Sequence, residues 1–435
     1  MLGSGIGHQE YTIGLREAIT RFLPARGLPL LGKGRWTDRL LLWVALLMAF
    51  SSVAALKDRF TEARHIAVAM YPSRRRPGKT PEGFMAKLAR QGRRILETVC
   101  NHLRAQIPTL TGIQWRVGKW LVFAVDGTKI DCPRTRDNQA HLKIGGRTKS
   151  GPQMLLVSLL HLGTGLLWSF RHTHARGSEP GLLRAMLGEL PPGVLLLADA
   201  GFTGYHLLRT ILAQGHHVLI RAGANRTYLR KLGFAAHEHK DIVYLWPQHS
   251  GRSVIEPLIF RRILIRTRKG RMMCLLTSVL DPRELPVAEA LELYARRWGV
   301  EVFYRGFKQT LARRKMRCGS ARHARVELDF AVLGLWLLSL VQWSAAAGKH
   351  LVGRSLAQAL RVVRQAMHGR GDARSGLACQ LRRLAPDPYC RTRRKAARRW
   401  AHKKRDRPCG IPYFRIATPS QIQCAKTFAA IYQQI

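Results

Sequence analysis

Tyr294, Arg297, Glu301 and Lys308 stand in the stretch YARRWGVEVFYRGFK and together could handle phosphate. On one continuous helix, at 100° per residue, the four side chains would lie within about 60° of one another. A carboxylate beside two cations and a phenol is an unusual surface for a soluble helix. It suits an acid that binds a metal ion, flanked by groups that hold phosphate oxygens. The spacing Y-x2-R-x3-E-x6-K therefore predicts metal-dependent phosphate chemistry.

Two further acids end short apolar runs. Asp126 ends WLVFAVD and Asp199 ends VLLLAD, and both runs are typical of buried strands. Because ligands of α/β sheets lie beyond the carboxyl ends of strands, neighbouring strands would bring the two carboxylates together. With Glu301 they would form a cluster of three acids, which needs cations to offset the repulsion. Carboxylate oxygens favour Mg²⁺ or Mn²⁺, and two such ions about 3.5–4 Å apart can clamp both oxygens of a displacement at phosphorus.

The charge of the chain indicates its partner. Lys and Arg number 73 against 26 Asp and Glu, a net charge of +47, while 46% of the residues are hydrophobic. A folded protein with this excess usually binds nucleic acid, and an acidic membrane surface is the alternative. The run from Arg391 to Arg407 holds ten Lys or Arg in seventeen residues. It predicts contact with the DNA backbone, or else a solvated tail.

The pattern of elements predicts an α/β fold with a mixed sheet flanked by helices. We expect a helical DNA-binding region at 1–115 and a catalytic core at 116–222 and 281–348. A β-rich insertion at 223–280 would precede the helix that carries Glu301. Residues 349–435 would form a basic region for DNA binding or dimerisation.

Two uncharged runs, Leu40–Leu56 and Phe330–Gly348, are long enough to be weighed as membrane spans. A spanning helix needs about 20 mainly apolar residues, and charges border both runs, so we predict buried helices and no membrane association. The first twenty residues lack the pattern of a signal peptide, and the eight cysteines form no C-x-x-C pair. These features predict reduced thiols and a cytoplasmic location.

These residues resemble a known family. The Tyr-Arg-Glu-Lys spacing, with VDGTKI around Asp126 and ADAGFTGY around Asp199, resembles DDE transposases with an RNase-H-like core. More narrowly, it is similar to bacterial insertion-sequence transposases that carry this signature, over roughly residues 118–345.

The resemblance implies a role for each site residue. Asp126, Asp199 and Glu301 would be the catalytic triad that binds two Mg²⁺ ions, with Mn²⁺ as a substitute. Tyr294, Arg297 and Lys308 would hold phosphates near the cleaved transposon end. The reaction implied is cleavage at the transposon ends and attack of the 3′-hydroxyl on target DNA, with a homodimer in the synaptic complex and the protein at the bacterial nucleoid.

Other interpretations stay open at this point. Asp126 or Asp199 alone could serve a turn or cap, Arg297 and Lys308 could be solvated helix charges, and Tyr294 could only pack. The whole protein could instead be a structure-selective nuclease on the same core, which cuts DNA without joining it. It could also be a catalytically silent repressor derived from a transposase.

A tryptophan and two histidine pairs are given structural interpretations. Trp246 could stack on an unpaired base, but a core or turn position is favoured. His172 with His174, and His237 with His239, have no nearby cysteine or third ligand, so zinc sites are not predicted.

Overall fold

The computed structural model describes residues 14–28, 34–72, 76–145, 151–224, 226–235, 237–247, 256–266, 270, 272–345, 355–370, 376–384 and 411–432. The chain divides into two compact units. The first comprises Met1–Trp115, Gly127–Gly177 and Glu301–Cys390, and the second comprises Arg116–Asp126, Ser178–Val300 and Arg391–Ile435. This division differs from the predicted domain boundaries, because the predicted catalytic core contributes residues to both units. The run from Arg391 to Arg407 lies outside the described residues.

Helices and strands alternate after an all-helical start. The helices, which follow a helical turn at 14–20, are α1 (Asp38–Phe50), α2 (Leu56–Met70), α3 (Pro81–Thr111), α4 (Arg136–Leu142), α5 (Glu179–Arg184), α6 (Tyr205–Ala213), α7 (Val287–Arg296), α8 (Gly299–Arg305), α9 (Ala321–Ala345), α10 (Leu356–Met367), α11 (Leu377–Arg382) and α12 (Pro419–Tyr432). The strands are β1 (Leu121–Asp131), β2 (Gln153–His161), β3 (Leu166–His174), β4 (Val194–Ala198), β5 (His217–Ala222), β6 (Thr227–Arg230), β7 (Ile242–Leu245), β8 (Leu258–Arg266), β9 (Met272–Thr277) and β10 (Tyr413–Ile416).

The first unit is built around the apolar helix α1. Every residue of α1 is buried, and the helix packs against α2, α3 and α9. Its amino end is capped by Thr37, whose hydroxyl accepts a hydrogen bond from the Leu40 amide. From Leu328 onward α9 is also mostly buried. The uncharged runs therefore form buried core helices, as predicted, over residues 40–50 and 330–345, whereas residues 51–55 are not helical and are mostly exposed. Among the described helices, none combines the length and the apolar character that crossing a membrane requires.

The first unit also holds a β-hairpin. Strands β2 and β3 pair antiparallel, from Met154 opposite His174 to His161 opposite Leu166. Gly163 lies in the connecting turn, where a Cβ atom would approach the Gln114 carbonyl oxygen to 2.1 Å. Only glycine allows so close an approach between the turn and the chain before β1. Helix α9 packs against β3.

The second unit contains a mixed sheet, in the order β1-β4-β5-β9-β8-β7-β6-β10. Strands β1, β4 and β5 are parallel, whereas the strands expected between 223 and 280 pair antiparallel and extend the same sheet from β9 to β6. The observed α/β architecture with a mixed sheet confirms the predicted fold class. Long apolar runs in β4 and β5 fit this central position, because parallel strands are buried on both faces.

A segment from near the end of the chain completes this sheet. Strand β10 pairs in parallel with β6, with Tyr413 opposite Thr227. Ala417 and Ala425 then join a buried apolar cluster with Leu229, Ile242 and Tyr244. Trp246 packs against this cluster, with its ring 6.3 Å from that of Phe428, in agreement with the core interpretation. Strands β6 and β7 therefore share their apolar core with residues far away in sequence.

Candidate active site

Asp126 and Asp199 lie at the same level of two neighbouring parallel strands in the second unit. The register of β1 and β4 pairs Ala124 with Leu197. Continued by two residues, the same register brings Asp126 level with Asp199. Residues in register across parallel strands project from the same face, so both carboxylates belong to one row. Both residues are half-buried, which leaves the carboxylates accessible. The expected adjacency of these two acids is thus supported by the pairing.

Asp199 also has a local structural role. Its Oδ1 atom accepts a hydrogen bond of 2.7 Å from the Ala200 amide, at the start of a one-turn 3₁₀ helix that ends at Phe202. This is the capping role considered from the sequence. It leaves the second carboxylate oxygen for another ligand, because an ionised carboxylate accepts several bonds.

Strand β5 adds an arginine to the row. The register of β4 and β5 pairs Ala198 with Ile220, so the next residue, Arg221, is level with Asp199. The sequence signal for Arg221 is similar to the one that marks the two aspartates: a charged residue near the end of an apolar strand, HVLIRA. Arg221 was not predicted as a site residue, because a single arginine carries little information in a chain with this excess of basic residues.

Tyr294 and Arg297 complete the cluster in the second unit. Arg297 is only 6% exposed, and its Nη1 atom is 3.8 Å from the Asp126 carboxylate. The same guanidinium lies 5.7 Å from the centre of the Tyr294 ring. Burial raises the pKa of Tyr294 to about 12; Arg297 and Arg221 lower it and Asp199 raises it. Tyr294 is therefore a neutral phenol at physiological pH, and Arg297 offsets the charge of Asp126.

Glu301 and Lys308 belong to the first unit. Glu301 is half-buried in α8. Lys308 lies in a π-helical turn, Gly306–Thr310, and its Nζ atom donates a hydrogen bond of 2.7 Å to the Thr128 hydroxyl. Burial lowers the pKa of Lys308; Asp131 opposes this effect and Arg314 adds to it. The ammonium is thus held near the end of β1 by a neutral acceptor.

The four signature residues do not lie on one continuous helix, so the predicted common helical face is wrong. Helix α7 ends at Arg296, and the amides of Arg297 and Val300 bond to carbonyls three residues back. After α8 the helical turn is wider than in an α-helix, since the Leu311 amide donates to the Gly306 carbonyl five residues back. Tight and wide turns both change the rotation per residue from 100°, so the sequence spacing no longer gives the angle.

The two aspartates have the chemistry of ligands for a divalent metal ion. Asp126 and Asp199 supply adjacent carboxylate oxygens, the donor type that Mg²⁺ and Mn²⁺ prefer. Within the described part of the chain, no three His, Cys, Asp or Glu residues are grouped as a metal site. Glu301 belongs to the other unit, so the three-acid cluster stays a prediction. The two aspartates fit a divalent ion by their chemistry.

The two histidine pairs lie in different surroundings. The His172 Nε2 atom is 2.8 Å from Asp329 Oδ1, and both side chains are largely buried. His237 and His239 are exposed in the loop before β7. Among the described residues, neither pair belongs to a metal-binding group, and zinc was not predicted there.

Comparisons with known protein sequences agree on one family. The model for the transposase DDE domain matches residues 119–337, which include all the predicted site residues. The chain is 27% identical over 323 residues to the transposase InsG for insertion sequence element IS4 of Escherichia coli strain K12, covering 72% of this chain and 71% of that relative. Among solved structures, a piggyBac transposase synaptic complex with hairpin DNA is 9% identical, with a TM-score of 0.42 and coverage of 83% and 77%. A structural likeness of that size supports no inference.

Proposed function

The chain belongs to the transposase DDE-domain family, and from this premise we propose that it cleaves DNA at the ends of a mobile element with divalent metal ions and joins the 3′-hydroxyl to target DNA. The observation that carries this proposal is the row of Asp126, Asp199 and Arg221 at the carboxyl ends of three parallel strands, with Tyr294 and Arg297 beside it. Charged groups at this edge of a sheet are where α/β folds bind ligands.

Each residue has a proposed role. Asp126, Asp199 and Glu301 would hold two Mg²⁺ ions, which when bound supply a stronger nucleophile and neutralise the leaving oxygen. Arg297 and Lys308, joined by Arg221, would hold phosphate oxygens of the DNA end. The neutral phenol of Tyr294 would donate a hydrogen bond to the same backbone, since its raised pKa keeps the proton at pH 7.

The wider assignments follow from charge and family. A net charge of +47 suits a protein that must hold transposon ends and target DNA at once. We propose that the helical region up to residue 115 and the basic region after residue 349 contact DNA backbone. A homodimer in the synaptic complex and a cytoplasmic location at the nucleoid belong to the same proposal.

Strand joining is the decisive test. Inverted repeats in the DNA that flanks the gene would supply the substrate, as a labelled duplex incubated with Mg²⁺ and a plasmid target. A transposase should yield products joined through the 3′-end of the repeat. Cutting without joining would instead indicate the structure-selective nuclease, and DNA binding without cutting would indicate the silent repressor.

Two isosteric substitutions test the acids. Asp199→Asn keeps an oxygen that can accept from the Ala200 amide but removes the charge. Glu301→Gln likewise removes the charge of its side chain in α8 and keeps the shape. Each should reduce cleavage by about 10³-fold or more, because metal ions supply several kcal/mol of transition-state stabilisation, while DNA affinity is retained. The matched control is Glu292→Gln, an exposed acid of α7 paired with Arg296. Unchanged cleavage in either test variant would refute the assigned role of that acid.

A further inference from the structure

We propose that Thr128 is a positioning residue that holds the Lys308 ammonium in place for its contact with DNA phosphate. The inference rests on the proposed function, because it gives a purpose to Lys308 only if the protein acts on DNA. The direct observation is the 2.7 Å hydrogen bond from Lys308 Nζ to Thr128 Oγ1. A lysine ammonium has three donors, so this bond leaves two for phosphate oxygens.

The turn that carries Lys308 is held from one side. The π-helical turn Gly306–Thr310 packs so closely on α10 that a Cβ atom at Gly306 would meet a Leu356 methyl group at 2.6 Å. Just beyond the turn, the Nη2 atom of Arg313 lies within hydrogen-bond distance of three carbonyls at the end of α1. Single π turns often occur at functional sites, where they redirect a side chain. Here the redirected side chain is Lys308.

The strand that carries Thr128 is tied to the same segment from the other side. The Asp131 amide donates to the Arg314 carbonyl at 3.2 Å, and the Met316 amide donates to the Asp131 carbonyl at 2.8 Å. These bonds form a short parallel bridge between Asp131 and Lys315. The bridge therefore places the backbone at Asp131, three residues beyond Thr128, beside the segment that follows Lys308.

A hydroxyl acceptor suits this task better than a carboxylate would. Lys308 is half-buried, and of the nearby charges Asp131 raises its pKa whereas Arg314 lowers it. An ion pair at Thr128 would neutralise the ammonium that the phosphate must meet. A neutral oxygen directs the ammonium without cancelling its charge. Side-chain entropy makes such restraint useful, because a lysine otherwise samples many rotamers.

A double-mutant cycle separates positioning from a general structural role. The variants are Thr128→Val, which keeps the shape of the side chain, Thr128→Ser, which keeps the hydroxyl, Lys308→Met, and Thr128→Val with Lys308→Met. The measurement is the single-turnover rate of Mg²⁺-dependent cleavage at the transposon end. Thr210→Val is the matched control, since the Thr210 hydroxyl donates only to the His206 carbonyl of its own helix. Thermal unfolding shows that each variant is folded.

We expect Thr128→Val to slow cleavage about tenfold to a hundredfold, the range for a hydrogen bond to a charged group. Thr128→Ser should restore most of the rate, and Thr128→Val should cost nothing further when Lys308 is already Met. Equal losses from Thr128→Val with and without Lys308 would overturn the inference, as would a wild-type rate in Thr128→Val or in Lys308→Met. If the wild-type protein neither cut nor joined DNA, the proposed function itself would fail.

Discussion

Arg297 in the second unit and Arg313 in the first are both buried arginines, 6% and 2% exposed, yet their guanidinium groups meet different partners. Arg297 lies 3.8 Å from the carboxylate of Asp126, at the edge of the sheet. Arg313 donates to the carbonyls of Met48, Ala49 and Ser51, at distances of 2.7, 2.9 and 3.1 Å. The first arginine balances the negative charge of Asp126, which a metal ion could also offset, and the second satisfies carbonyl groups at the end of a helix.

The reason for the second arrangement lies in α1. The helix is wholly buried and has no basic residue in its last turn. Its last carbonyls have no partners within the helix and carry the negative end of its dipole. Arg313 and Arg364, whose Nε atom donates to the Phe50 carbonyl at 2.7 Å, supply both hydrogen bonds and positive charge. Burial lowers the pKa of Arg313 to about 9, because removing the guanidinium from water disfavours its charged form.

The largest expected effects come from replacing each of the two arginines, one on stability and the other on DNA cleavage. Arg313→Met should lower the free energy of unfolding by about 3 kcal/mol or more, because it leaves buried carbonyls without donors at about 1–3 kcal/mol each. Arg297→Met should affect DNA cleavage far more than stability, since it removes the cation beside Asp126. Urea unfolding and cleavage rates, measured on the same preparations, test both halves of the comparison.

Arg209→Met is the matched control for these two variants, because Arg209 is exposed on α6 and makes a surface ion pair with Glu256. It should change neither stability nor cleavage appreciably. The comparison breaks if Arg313→Met is as stable as the control, or if Arg297→Met cleaves DNA at the wild-type rate.

A buried histidine of the first unit predicts the response to acid. His161 is fully buried, with Nε2 donating to the Trp115 carbonyl at 3.0 Å and Nδ1 accepting from the Thr164 hydroxyl at 2.9 Å. Burial lowers the pKa of His161 from 6.5 to about 4, although the Trp115 bond opposes this. The unfolded chain therefore binds a proton first as the pH falls. Stability from the neutral ring is present above about pH 6.5 and is lost towards pH 4, by about 3 kcal/mol in all.

Unfolding free energies measured across this pH range should show the slope, and His161→Gln should flatten it. His141→Gln serves as the control, because His141 is a largely exposed side chain of α4. A wild-type slope that survives in His161→Gln would assign the acid response to other groups. The comparison of buried basic side chains would then rest on Arg297 and Arg313 alone.

The smallest expected effect concerns the close packing of α9 against the end of α1, near the carbonyls that Arg313 contacts. Gly334 of α9 faces α1, and a Cβ atom there would meet the Ala49 Cβ at 2.8 Å. Gly334→Ala should lower the free energy of unfolding by about 1 kcal/mol net, because overpacking of about 1–3 kcal/mol exceeds the gain in helix propensity. Thermal unfolding measures the change, and adding Ala49→Gly should recover part of it. A stabilising Gly334→Ala would show that α1 and α9 separate easily.

The site was predictable to the extent that its signals are local. Asp126 and Asp199 were found because an apolar run followed by an acid marks the end of a buried strand, and the registers place them level. The family inferred from those motifs is confirmed by the model match over residues 119–337. Magnesium, the number of ions, the homodimer and the triad that includes Glu301 stay predictions. The helical face was wrong because the 100° rule assumes an unbroken helix.

By itself the sequence determined the family, the α/β class, the strands that end in acids and the burial of the two uncharged runs. These follow from short-range patterns of apolar and charged residues, whose physical chemistry acts within one element. Tertiary structure alone decided that Arg221 joins the aspartates, that β10 pairs with β6, and that Arg313 reaches Met48 across 265 positions of the chain. Those outcomes depend on which elements become neighbours, and neighbours are chosen by the burial of whole faces rather than by the local preference of any one residue.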